Sequence, residues 1–264
     1  MLSLIEWPRA THGPVVRSRW DQTDMRALLT CLFLAIACPA FADMTAVYEA
    51  HPNGFKMTVE MAANGDVRGD IAGKPGVYVL TRSGQGYFVI TTPGGVLVDR
   101  VEDEGAAVQI VAEKRLAPAY LTMMKELGRN MSAMGPLLVK GDDIVVQGRK
   151  GTPYYFGGVK RPGMPPVMVV SYDAELASLG LAMARQMALS DMLQPFATHN
   201  PLTQQAATIM KMGAPIEFAG AELTTITHDP IPPSRFELPA APEGREAIVK
   251  RIDAAASDQR VSAF

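Results

Sequence analysis

Phe55-Lys56-Met57-Thr58-Val59-Glu60-Met61, followed after Ala62-Ala63-Asn64-Gly65-Asp66 by Val67-Arg68-Gly69-Asp70-Ile71, is the stretch whose register decides the fold. Phe55, Met57, Val59 and Met61 alternate with Lys56, Thr58 and Glu60, the period of a half-buried strand. A two-residue Asn64-Gly65 turn would set Met61 against Arg68 and Val59 against Asp70, mixing apolar and charged side chains on one face. A three-residue loop, Ala63 to Gly65 with Gly65 left-handed, pairs Met61 with Val67, Met57 with Ile71 and Glu60 with Arg68. The second register is expected, with the Glu60 and Arg68 charges facing each other on the wet side.

Two more hairpins extend the sheet. Ser83-Gly84-Gln85-Gly86 is expected to join Val77–Arg82 to Tyr87–Thr91, and Thr92-Pro93-Gly94-Gly95 to form a type II turn into Val96–Val101. Both faces of these strands are apolar. Tyr78, Leu80, Val89 and Val98 lie on one, and Val77, Val79, Phe88, Ile90 and Leu97 on the other, so each side needs a cover.

Glu102-Asp103-Glu104-Gly105 reads as a charged, solvated turn that breaks the strand series. Leu116 to Met134 then turns helical, with Leu121, Met124, Leu127 and Met131 along one stripe and Pro118 in the first turn. Strands are expected at Ile144–Gln147, Pro153–Phe156 and Val167–Ser171. A helix from Ala174 to about Pro195, capped by Asp173, carries Leu176, Leu179, Met183 and Met187 as its stripe. A helix over Thr203–Met212, a hairpin turning at Ala219-Gly220-Ala221, an extended Pro230 to Phe236 and a terminal helix around Ile248, Val249 and Ile252 complete the chain.

The 264 residues are 48% hydrophobic and 20% charged, enough to bury a sizeable core. The net charge of -2, without a Lys/Arg cluster, argues against nucleic acid as a partner. Near the N-terminus, Met25-Arg26 precedes an apolar run from Ala27 to Ala37, then Cys38-Pro39-Ala40-Phe41-Ala42. This reads as a signal peptide cleaved after Ala42, with translation starting at Met25, because a leader with Glu6, Asp21 and Asp24 does not suit export. The competing reading makes Cys38 a lipidated cysteine. The apolar run is too short to span a bilayer comfortably, and no transmembrane span is expected in the mature chain. Cleavage removes Cys31 and Cys38 and leaves a net charge of -3 from residue 43 onward, which suits a periplasmic protein without disulfides. Residues 1–42 are thus read as leader and signal peptide, and 43–264 as a single domain.

The strands beginning Phe55-Lys56-Met57-Thr58-Val59-Glu60-Met61, continuing through Gly76-Val77-Tyr78-Val79-Leu80 and Gly86-Tyr87-Phe88-Val89-Ile90, and closing with Phe236-Glu237-Leu238-Pro239 resemble the periplasmic lipoprotein-carrier superfamily of LolA, LolB and LppX type. The resemblance covers most of the mature chain. It implies an α+β fold in which a strongly curved antiparallel sheet, a half-barrel, carries helices on its concave face and encloses an apolar cavity. No ligand-contact residue transfers from the superfamily to a position here.

The helices are rich in methionine, a flexible side chain suited to an adaptable apolar pocket. Met124, Leu127, Met131, Leu179, Met183 and Met187 are the candidate ligand-binding residues, with ordinary core filling as the competing role. His51, His199 and His228 are too scattered to suggest a metal, and the glycines at 148, 151, 157 and 158 lack the ending of a phosphate loop. Gly-x-Ser-x-Gly and His-Glu-x-x-His are absent, and Ser83 is a turn residue. The expectation is a non-catalytic, cofactor-free periplasmic protein that binds a hydrophobic, lipid-like ligand. The alternative is an envelope interaction module that binds another protein.

Overall fold

The computed structural model describes residues 42–50, 54–70, 74, 76–133, 137–157, 165–193 and 200–261, and from residue 42 on these belong to one compact unit. The leader, Cys31 and Cys38 lie outside the described residues. No described helix is long and apolar enough to cross a membrane.

The fold is α+β, built on an antiparallel sheet of twelve strands. In chain order the strands are β1 (Met44–Ala50), β2 (Phe55–Met61), β3 (Val67–Asp70), β4 (Val77–Arg82), β5 (Gln85–Thr92) and β6 (Gly95–Arg100). After two helices come β7 (Leu138–Lys140), β8 (Ile144–Val146), β9 (Arg149–Phe156) and β10 (Met168–Ser171), and after two more β11 (Ala214–Phe218) and β12 (Ala221–Thr227). The helices are α1 (Val101–Arg115), α2 (Pro118–Ala133), α3 (Ala177–Met192), α4 (Pro201–Met210) and α5 (Arg245–Val261). The sheet runs β6-β5-β4-β3-β2-β1-β12-β11-β10-β9-β7, with β8 also on β9. β1 joins the two halves. It pairs with β2 on one side and β12 on the other, and its Met44, Ala46 and Tyr48 are all buried. The Tyr48 hydroxyl donates to the Pro215 carbonyl at 2.7 Å, which satisfies a phenol sealed from water.

The deciding register is the expected one. Met61 pairs with Val67 and Glu60 with Arg68, the loop is Ala63-Asn64-Gly65, and Gly65 has φ 86°. Ile71, the expected partner of Met57, lies outside the described residues. The next hairpin is tighter than expected: Arg82 pairs with Gln85, leaving Ser83 and Gly84, both at positive φ, as a two-residue turn. At Pro93-Gly94 the turn is not type II, because the positive φ falls on Gly95 and not on Gly94.

One apolar face is closed over, and the other, with Val77, Val79, Phe88, Ile90 and Leu97, is half-buried. Ala46, Val59, Gly69, Val79, Phe88 and Asp99 stand across β1 to β6 on one face, where α3 packs with its Leu189 against Gly86 and its Gln186 against Gly69. On the other face Phe236, Ile231 and Leu238 close over Tyr78, Leu80, Val89 and Val98. The segment Pro233–Phe236 is a 3₁₀ turn and not the extended chain expected. It also corrects the reading of Glu60 and Arg68 as solvated. Arg235 donates to Glu60 at 2.9 Å, Arg68 stacks 3.5 Å over the Tyr78 ring, and the Glu60 and Arg68 side chains are each 13% exposed.

Two further differences have local causes. Glu102-Asp103-Glu104 is no turn but the first turn of α1, where three acids complement the helix N-terminus. Asp173 precedes a 3₁₀ turn at Ala174–Leu176 without capping it through its side chain. At the far edge, β7 and β8 flank a break at 141–143 opposite Pro153. Gly141 N–H donates to the Pro153 carbonyl at 2.8 Å, but proline has no N–H to return on that side, so the ladder stops and restarts.

Candidate functional site

The stripe on α2 is the feature that folding leaves unspent. Leu116 ends α1 in an extended conformation, Pro118 opens α2 with a φ already suited to a helix, and the Leu121 N–H bonds back to the Ala117 carbonyl. From there Tyr120, Met123, Met124 and Leu127 fall at three- and four-residue spacings on one side, opposite Thr122, Lys125, Glu126 and Arg129. Tyr120, Met123 and Leu127 are 45%, 52% and 50% exposed, and Met124 is half-buried. No described strand or helix packs extensively on α2, and none of its described side chains is fully buried. The Met131 side chain lies outside what is described.

The α3 half of the expected pocket has a different fate. Leu179 and Met183 are buried in the main core with Met44, Tyr48, Met61, Ile216 and Met210, and Met187 packs half-buried at its margin. Close backbone approach fixes this placement. A Cβ at Gly180 would come within 2.5 Å of the Met210 carbonyl, so α3 and α4 touch through glycine. The five described candidates therefore separate into Met124, half-buried, and Leu127, exposed, on α2, and Leu179 and Met183 in the core with Met187 at its margin on α3.

No protein-family model, curated protein or solved structure matches this chain.

A hollow of about 330 Å³ lies between the β2–β3 loop and the 3₁₀ segment, lined by Asp43, Asn64, Asp66, Arg82, Phe236 and Glu237 among others. Its buried polar groups serve the fold. Asp43 accepts from the N–H groups of Ala63 at 2.8 Å and Ile231 at 2.7 Å, tying the loop to the returning chain. Asp66 accepts from the Ser83 N–H at 2.8 Å and from Asn64 Nδ2 at 3.0 Å. Ser83 is thus a turn residue whose backbone holds the neighbouring loop.

His51 and His199 lie outside the described residues, and His228 Nδ1 stands 3.3 Å from the Asp43 carbonyl. Among the described residues no three of His, Cys, Asp and Glu converge as metal ligands do. Three titratable groups displaced from their ordinary range, Asp99, Glu104 and Arg251, meet at the β6–α1 corner. Burial, then the neighbouring Asp99 carboxylate, push the Glu104 carboxyl up to about 7, and burial raises Asp99 as well. Sequence reading missed Glu104 because it was assigned to a solvated turn. It also left Tyr120 and Met123 out of the α2 group, although they share the spacing of Met124 and Leu127.

Proposed function

We propose that this chain is an exported, non-catalytic periplasmic protein that binds a hydrophobic, lipid-like ligand, with the α2 stripe as its contact surface. The carrying observation is the half exposure of Tyr120, Met123 and Leu127 on a helix without an extensive packing partner. An isolated helix of this length is marginal in water, and most helices are stabilised by burying their apolar face. Covering each large side chain contributes about 1.5–3 kcal/mol, so an acyl chain laid along the stripe stabilises helix and complex together. Thioether side chains at 123 and 124 adapt to chains of different shape. In this reading the antiparallel sheet bends into a half-barrel with helices on its concave side, in keeping with the resemblance to lipoprotein carriers, and residues 25–42 direct export.

Native mass spectrometry of protein purified from the cell envelope, with solvent extraction of the bound fraction, tests the proposal. The expected result is a co-purifying lipid that is lost in the double variant Met123→Asp, Leu127→Asp, which alters only exposed side chains. Ligand-free wild-type protein that also fails to take up a fluorescent fatty acid would overturn it.

A second reading, an envelope interaction module, is favoured by Leu179 and Met183 being committed to the core and by Val145, 69% exposed on the edge strand β8. One stoichiometric protein partner, released by Val145→Lys with no lipid present, supports this reading over the first.

A further inference from the structure

The corner where β6 turns into α1 buries more acid than base. Asp99, at the end of β6, has a side chain 1% exposed and receives a hydrogen bond from Arg251 Nη2 of α5. Glu104, in the first turn of α1, is close enough for the two carboxylates to repel. Asp99 Oδ1 and Glu104 Oε2 are both buried without a hydrogen-bond partner. Buried acceptors without a donor are uncommon and costly, and two of them at one corner call for a cause.

The surrounding charges do not supply one. From α5 and the chain leading into it come Arg251 and Glu243, which meet at 3.4 Å, so part of the guanidinium is already engaged. Asp103, beside Glu104, points to Arg245 at 2.7 Å and to Arg100 at 4.0 Å. From α3 the Met192 carbonyl presses on Gly105, where an added Cβ would come within 2.1 Å. One guanidinium thus faces Asp99, Glu104 and Glu243, and the corner is left with uncompensated negative charge unless a carboxyl is protonated.

We propose that Asp99 and Glu104 hold one proton between them beside Arg251 at neutral pH, and that its loss opens the β6–α1 corner and loosens α5, making the corner a pH-sensitive clasp. In the closed state a proton on Glu104 Oε2 gives that atom a donor role and removes one of the negative charges facing Arg251. On opening, the Oε2–H bond breaks, its electron pair stays on the carboxylate, and the proton passes to solvent. The ionised Glu104 then turns to water, drawing the first turn of α1 from Asp99. A carboxyl held up to about 7 in the closed state places the response near neutrality. The folded value lies above the unfolded one, so the clasp is firmest below the unfolded value and weakens as pH rises through about 7. This inference is independent of what α2 binds.

Hydrogen exchange read by mass spectrometry on the full chain, corrected for intrinsic rates between pH 5 and 8.5, tests it. Segments covering residues 99–111 and 245–255 are expected to open about tenfold more for each pH unit up to about 7, then level off. Glu104→Gln, which carries no titrating proton, is expected to flatten the profile in both segments. A flat wild-type profile, or the same slope in Glu104→Gln, overturns the proposal. Should that variant fail to fold, a carbon-13 titration with the Glu104 carboxyl assigned decides: Glu104 titrating near neutrality supports the clasp, and Glu104 titrating near 4 sinks it.

Discussion

Gln205 of α4 grips both backbone groups of Leu138 on β7: its Oε1 accepts from the Leu138 N–H at 2.8 Å, and its Nε2 donates to the Leu138 carbonyl at 2.7 Å. The primary amide does there what a neighbouring strand would do, so an edge that could recruit another chain is occupied from within. Gln205→Ala leaves a donor and an acceptor unmatched at a part-buried position. The expected loss is about 1–3 kcal/mol in urea unfolding, with concentration-dependent association that light scattering detects.

The β2–β3 register rests on Gly65. At φ 86° an L side chain is strained, yet a Cβ there would meet only Arg185 Nη1 at an ordinary 3.6 Å. The cost of Gly65→Ala is therefore conformational and not steric, about 1–2 kcal/mol. A thermal midpoint unchanged from wild type would argue against the loop as described. A much larger loss would point to a clash instead.

What the sequence reveals and hides has a physical pattern. The β2–β3 hairpin was legible because alternation and turn chemistry demand the same register. α1 was not, because its inward positions include Glu104 between Val101 and Ala107, and a buried acid breaks the apolar period that marks a helix. β1 is hidden although Met44, Ala46 and Tyr48 alternate with Thr45, Val47 and Glu49, since it begins just after Ala40-Phe41-Ala42, which reads as a cleavage site. On α3 the stripe was readable, and on α2 Met124 and Leu127 of it were. Periodicity identifies the apolar side of a helix, but it carries no information on whether tertiary packing covers that side, which is where Leu127 and Met183 part company.

Asp253 of α5 fastens the terminal helix to the end of α1. Arg115 Nε and Lys114 Nζ both reach its carboxylate, the latter at 2.8 Å, and their hydrogen bonds lower its carboxyl to about 2. Here the folded value is depressed. The stabilisation is complete above the ordinary aspartate range and fades as pH falls toward 2. Asp253→Asn is thus expected to lower the thermal midpoint at pH 7 and to match wild type at pH 2, provided both remain folded there. A difference that persists unchanged at low pH would locate the effect outside this ion pair.

The α1–α3 crossing turns an ordinary preference upside down. On a free helix Gly→Ala is stabilising by about 1 kcal/mol, since glycine has the larger backbone entropy to lose. At Gly105 the added methyl group would lie 2.1 Å from the Met192 carbonyl, a backbone atom that cannot swing aside. Gly105→Ala is therefore expected to destabilise by about 1–3 kcal/mol as the helices are forced apart. The same displacement moves the first turn of α1, so it should also raise exchange of the amides beside Glu104 at pH 5, where the clasp is otherwise closed. Chemical denaturation gives the sign directly, and a stabilised Gly105→Ala protein would mean that α1 and α3 do not cross as closely as their backbones indicate.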